Sequence, residues 1–164
     1  MNVKKLTALS VSVALAMLLS FIESQIPPLV AVPGVKIGLS NIVTVVLLYL
    51  YGAREAGAVA LVRVSLSALL FGSAVSLIYS LAGAALSFIV MLLFKRIGLF
   101  SEVGVSVLGG VFHNAGQIAV ACLIMENGAI SLYLPPLVIS GTIAGAVIGI
   151  VSGILVKRLK TLIK

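Results

Sequence analysis

Long apolar runs separated by short polar breaks dominate the chain, so run length defines its elements better than periodicity does. A helix needs roughly 20 apolar residues to cross a bilayer. The first run, Leu6–Ile22, follows Lys4-Lys5 and stops at Glu23. The next begins at Leu39 and ends at Tyr51, short for a crossing. Ala56 to Phe94 is too long for one crossing and too short for three, and Phe71-Gly72-Ser73 is the expected break. Gly104–Met125 and Pro135–Val156 complete the set. The pattern predicts an all-α polytopic membrane protein. Its single domain, 1–164, would hold six transmembrane helices at about 5–23, 39–51, 54–71, 74–94, 104–125 and 135–156.

The breaks carry their own chemistry. Pro27-Pro28 and Pro33-Gly34 mark a loop before the second span, because proline and glycine end helices. Gly52-Ala53-Arg54-Glu55 and Glu126-Asn127-Gly128 read as turns. A signal peptide is an alternative for the first run, since Ala14-Leu15-Ala16 has the small residues of a cleavage site. The run continues past that point to Ile22, which favours a span.

Basic residues set the orientation. With an even number of spans, one side holds Lys4, Lys5, Arg54, Lys95, Arg96, Lys157, Arg158, Lys160 and Lys164, and the other only Lys36. Both termini are therefore expected on the cytoplasmic side, with the Pro-rich loop outside. The net charge of +7 reads as topology and affinity for membrane lipid rather than as nucleic-acid binding.

Composition agrees: 62% of residues are hydrophobic and 9% charged, against about a quarter charged in soluble domains. The chain has four Glu, no Asp, one His and one Cys. No P-loop occurs, no acidic cluster is available to hold Mg²⁺, and no Ser-His-acid set suggests itself. The expectation is no catalytic residue, no metal and no cofactor. A transporter built on this chain would need energy from elsewhere.

Against that background the polar residues inside the spans stand out. Arg63 lies within the longest apolar run, where a charge costs about 2.5–3.5 kcal/mol on insertion scales. In the fifth span, His113 and Gln117 are four residues apart and share a face, with Asn114 rotated beside them. These groups either glue the bundle together, with His113 or Gln117 bonded to Arg63, or line a ligand pocket. Pro33-Gly34-Val35-Lys36-Ile37-Gly38-Leu39-Ser40-Asn41 leads into the second span. Ser40 or Asn41 could cap that helix, and Lys36 would add positive charge near its anion-favouring end. Lys36 could equally snorkel to the headgroups. The candidate ligand-binding residues are Lys36, Asn41, Arg63, His113, Asn114 and Gln117, and the expected ligand is small and anionic.

Small residues form stripes. Gly141, Gly145, Gly149 and Gly153 fall on one face of the sixth span, and Ala8, Ser12 and Ala16 on one face of the first. Such faces let a second backbone approach closely, either within the bundle or as partner-docking surfaces.

Six short spans, a loop after the first helix and small residues along that helix resemble the substrate-binding S components of energy-coupling factor transporters. Pro33 to Asn41, Arg63, and His113-Asn114-Ala115-Gly116-Gln117 are similar to the membrane family called heptaprenyl diphosphate synthase component I, or Gx transporter. The resemblance implies a substrate-capture subunit in a prokaryotic cytoplasmic membrane. It would dock through Ala8, Ser12 and Ala16 on a transmembrane coupling subunit carrying ATPases. It would bind its ligand under the loop after the first helix. The synthase name leaves an isoprenoid- or quinone-related ligand open. Two alternatives stand beside it: an accessory subunit of prenyl diphosphate or quinone synthesis, and a scaffold of a membrane redox complex.

Overall fold

A computed structural model describes residues 3–25 and 38–163. Six α-helices follow one another: α1 (Val3–Gln25), α2 (Asn41–Leu50), α3 (Ala53–Phe71), α4 (Ala74–Ile97), α5 (Glu102–Ile124) and α6 (Leu134–Ile163). A short 3₁₀ segment, Gly128–Tyr133, precedes α6 and was not anticipated from the sequence. The Pro-rich loop and Lys36 lie outside the described residues.

The break at Gly72 has a local cause. Ser73 starts α4 with reciprocal capping: its Oγ accepts from the Ser76 N–H at 3.2 Å, and its own N–H donates to Ser76 Oγ at 2.9 Å. A side chain at Gly72 would put its Cβ 3.0 Å from the Ala68 carbonyl oxygen, so the tight reversal needs glycine there. At the far end of α4, Lys95 and Arg96 sit in the last turn and Gly98 closes the helix at φ 75°, a left-handed conformation that glycine adopts without strain.

The described residues contain four helical stretches long and apolar enough to cross a membrane: α1, α4, α5 and the stretch containing α6. This is the architecture of a membrane protein. Helix α2 departs from the six-span expectation. Its ten residues rise only about 15 Å, half the hydrocarbon thickness. Helix α3 is nearly long enough at 19 residues but carries Arg54, Glu55 and Arg63.

The half-length helix is the hub of the core. Val45, Leu47 and Leu48 of α2 are buried against Ala56 and Val59 of α3, Met91 of α4, Val105 of α5 and Ile148 of α6. At the end of the bundle where α2 gives way to α3, Lys5 and Glu55 form an ion pair, and Lys95 donates to the Leu48 carbonyl while lying 4.9 Å above the Tyr49 ring centroid.

Gly141, Gly145 and Gly149 of the α6 stripe pack inside the bundle, one of the two arrangements their spacing allows. A Cβ on Gly145 would come within 2.7 Å of Val107 Cα, and one on Gly149 within 2.6 Å of Val103 Cα. Gly141 meets Gly110, where α5 has a glycine of its own. Without a hydrophobic drive between helices in lipid, close backbone contact of this kind is what holds them. Over these three glycines the face is packed against α5. Gly153 is looser, with Glu102 Cβ at 3.9 Å as its nearest neighbour. The α1 stripe is likewise partly spent inside: Ala16 is 1% exposed, Ala8 and Ser12 are half-buried, and Ser12 Oγ donates to the Ala8 carbonyl. Large apolar side chains (Val11, Leu15, Leu18 and Ile22) cover the outer face of α1 instead.

Candidate functional site

Away from the Lys5–Glu55 pair, the helix ends enclose a cavity of about 120 Å³. It lies among the last turns of α1, the start of α2, the second half of α3, the inward face of α4 from Ser76 to Met91, and the first halves of α5 and α6. Arg63, Asn41, His113 and Asn114 all line it. Residues 50 positions apart in sequence thus meet in one hollow, as a binding site requires.

Arg63 is half-buried, and its outer nitrogens turn to α2. Nη1 donates to Ser40 Oγ, and Nη2 donates to Asn41 Oδ1 at 3.3 Å. Its buried Nε has no hydrogen-bond partner among the described residues. The guanidinium is therefore hydrogen-bonded to the entry of α2 and not to His113 or Gln117, the pairing that one of the two sequence readings implied. Nor do Ser40 and Asn41 cap α2 with their side chains: Ser40 has helical backbone angles and its hydroxyl serves Arg63. The first N–H groups of α2, those of Asn41, Ile42 and Val43, donate to the carbonyls of Gly38, Leu39 and Ser40 at 2.8, 3.2 and 3.2 Å. Those N–H groups are taken up locally, so among the described residues that line the cavity the positive charge comes from the Arg63 side chain.

Helix α5 divides its polar residues between two neighbours. Asn114 is 5% exposed, and its Nδ2 donates to the Leu137 carbonyl of α6 at 2.7 Å. His113 and Gln117 share the face turned to α4, as their spacing requires. A Cβ on Gly83 would meet Gln117 Cγ at 2.8 Å and His113 Cε1 at 3.2 Å. Of this pair only His113 reaches the cavity. Gln117, one turn further on, is packed where α4 and α5 close together and is not among the described residues that line the cavity.

Two features escaped the sequence reading. Glu23, at the end of α1, is only 9% exposed and lines the cavity, with its Oε1 accepting from the Gly38 N–H. Eight serines also line the hollow: Ser20 and Ser24 of α1, Ser40, Ser67 of α3, Ser76, Ser80 and Ser87 of α4, and Ser106 of α5. The chain has sixteen serines, so half of them face one small space. Their spacing was a usable signal. Ser76, Ser80, Gly83 and Ser87 recur at intervals of four, three and four, which draws one face of a helix.

The arrangement can do one kind of chemistry well: it can hold a small polar molecule by charge and hydrogen bonds within an apolar bundle. Among the described residues, no group of three His, Cys, Asp or Glu side chains is placed to hold a metal ion. A family model described as Heptaprenyl diphosphate synthase component I matches residues 12–155. No curated protein and no solved structure matches the chain.

Proposed function

The chain belongs to the heptaprenyl diphosphate synthase component I family, and from that premise we propose that it is a membrane substrate-binding subunit capturing a small molecule through an acidic group. The observation that carries this reading is Arg63 on the wall of a shared cavity, its outer nitrogens held by α2 and its Nε buried without a partner among the described residues. Charged groups at membrane depth are costly and commonly mark ligand or ion paths. A cavity near 120 Å³ is well below the roughly 300–1,000 Å³ of drug-sized pockets, so the captured group is small. An isoprenoid or quinone-like ligand would place only a polar head there. The subunit would work with a separate energising module, a transmembrane coupling subunit with ATPases, in a prokaryotic cytoplasmic membrane with both termini on the cytoplasmic side.

Mass spectrometry of small molecules retained by the purified chain tests this. The wild type should carry an acidic compound that Arg63→Gln, still folded, does not. Equal retention by both proteins would end the reading.

The family's description favours a second reading, an accessory membrane subunit of prenyl diphosphate synthesis. In that case the purified chain should change the rate or product length of a soluble prenyl diphosphate synthase from the same cell. A capture subunit should leave both unchanged.

A further inference from the structure

A serine or threonine hydroxyl inside a helix commonly turns back to a carbonyl of its own helix. Thr7, Ser12 and Thr142 do so here, each donating to the carbonyl four residues earlier. Ser87 and Ser106 do not. Each is 4% exposed and lines the cavity, and neither hydroxyl makes a hydrogen bond among the described residues. Both flank Gly109. A Cβ on that glycine would lie 3.3 Å from Ser87 Oγ and 2.7 Å from Met91 Sδ, and Ser106 precedes it by about one turn on the same face of α5. Met91 also belongs to the packed core, as do Val45 and Ile148, which line the hollow too. Two hydroxyls therefore stand beside apolar side chains, where alanine would fill the space without an unpaired polar group.

Helix register gives their depth relative to Arg63. The chain reverses between α3 and α4 at Gly72-Ser73, and the two helices run back alongside each other: a Cβ on Gly57 would lie 3.3 Å from the Phe88 ring. By the same register Arg63 faces the level of Ala82, and Ser87 lies about 7 Å deeper along the bundle. Helix α2 repeats the measure, since Ser40 and Asn41 hold the guanidinium and Val45 lines the hollow one turn further on. The cavity follows α4 from Ser76 to Met91, about 22 Å of helix, yet encloses only about 120 Å³, so it is long and slender. Building on capture at Arg63, we propose that the guest is a slender hydroxy acid, with its acidic group on Arg63 and a hydroxyl about 7 Å away held by Ser87 and Ser106. A hydroxyl both donates and accepts, so it can pair with each serine. A methyl group in its place would leave both serine hydroxyls without a partner, which is how a site built for a hydroxyl rejects the analogue that lacks it. Ser87 and Ser106 thus determine specificity, and Arg63 is the anchor.

Thermal unfolding of the purified full chain in detergent tests the proposal with two matched probe series at equal concentration. One is 4-hydroxybutyrate, 5-hydroxypentanoate and 6-hydroxyhexanoate. The other is pentanoate, hexanoate and heptanoate, in which a methyl group replaces the hydroxyl. At least one hydroxy acid should raise the unfolding midpoint of the wild type by several degrees, while its matched alkanoate does not. Ser87→Ala and Ser106→Ala should each keep the ligand-free midpoint, because neither hydroxyl has a bond to lose among the described residues, and should erase the advantage of the hydroxy acid. Alkanoates that stabilise the wild type as well as the hydroxy acids do, but fail on Arg63→Gln, would overturn the hydroxyl subsite and leave capture at Arg63 standing. A preference for the hydroxy acid that survives in both serine variants would overturn it as well. So would a wild type shifted by neither series, and retention of an acidic compound by that same protein would still uphold capture. The wild-type comparison decides the matter even where a serine variant folds poorly.

Discussion

Arg63 donates through Nη2 to the side-chain oxygen of Asn41 at 3.3 Å, tying the middle of α3 to the first residue of α2. With the neighbouring bond to Ser40, this makes the guanidinium a brace as well as a candidate anchor. A double-mutant cycle on Arg63→Gln and Asn41→Ala, read by thermal unfolding, should give a coupling of about 0.5–3 kcal/mol, as for residues in one network. Additive effects would show that the contact carries no stability. The same cycle run on Arg63 and Gln117 should be additive, because Gln117 packs on α4 outside the cavity.

Gly145 and Gly153 belong to one stripe but should behave differently. Gly145→Val should destabilise the protein by about 1–3 kcal/mol, the usual penalty for overpacking, because Val107 Cα already lies 2.7 Å from the position its Cβ would take. Gly153→Ala should leave the unfolding midpoint near that of the wild type, since its nearest neighbour is 3.9 Å away. Equal tolerance at both positions would contradict packing of α6 on α5.

Asn114→Ala should lower stability by about 0.6–2 kcal/mol, the range for a hydrogen bond between membrane helices, through loss of the bond to the Leu137 carbonyl. Thermal unfolding of the purified variant reads this directly. An unchanged midpoint would mean that the bond is matched by other contacts in the variant.

His113→Ala and Gln117→Ala separate the two halves of the polar face on α5. Both side chains press on Gly83, but only His113 lines the cavity. His113→Ala should reduce the amount of retained small molecule, and Gln117→Ala should not, as measured by mass spectrometry of the purified proteins. Loss on Gln117→Ala alone would invert the assignment.

Particular residues show what a sequence can reveal about this fold. The Gly72 break was legible because Gly72-Ser73 interrupts a run whose length fits two helices. Arg63 and His113 were recognisable because polar groups at membrane depth seek an interior, and both do line one cavity. The partner of Arg63 was not legible, since depth along a helix says nothing about which helix lies alongside. The glycine stripe showed that something comes close to α6, yet an internal neighbour and an external one demand the same spacing. Glu23 was passed over because an acid at the end of an apolar run looks like the end of a span. Only the packing of α1 beside α3 turns it inward.

The ten-residue length of α2 has a further consequence. The short helix is entered by the turn from Gly38 to Ser40, whose polar groups are taken up by side chains of α1 and α3. Glu23 takes the Gly38 N–H and Arg63 takes the Ser40 hydroxyl. The side chains that would greet a cargo are thus already hosting a piece of their own protein. On the proposed reading, loading would be an exchange in which a guest displaces this internal contact, and weakening the contact would raise affinity without touching any group that meets the guest.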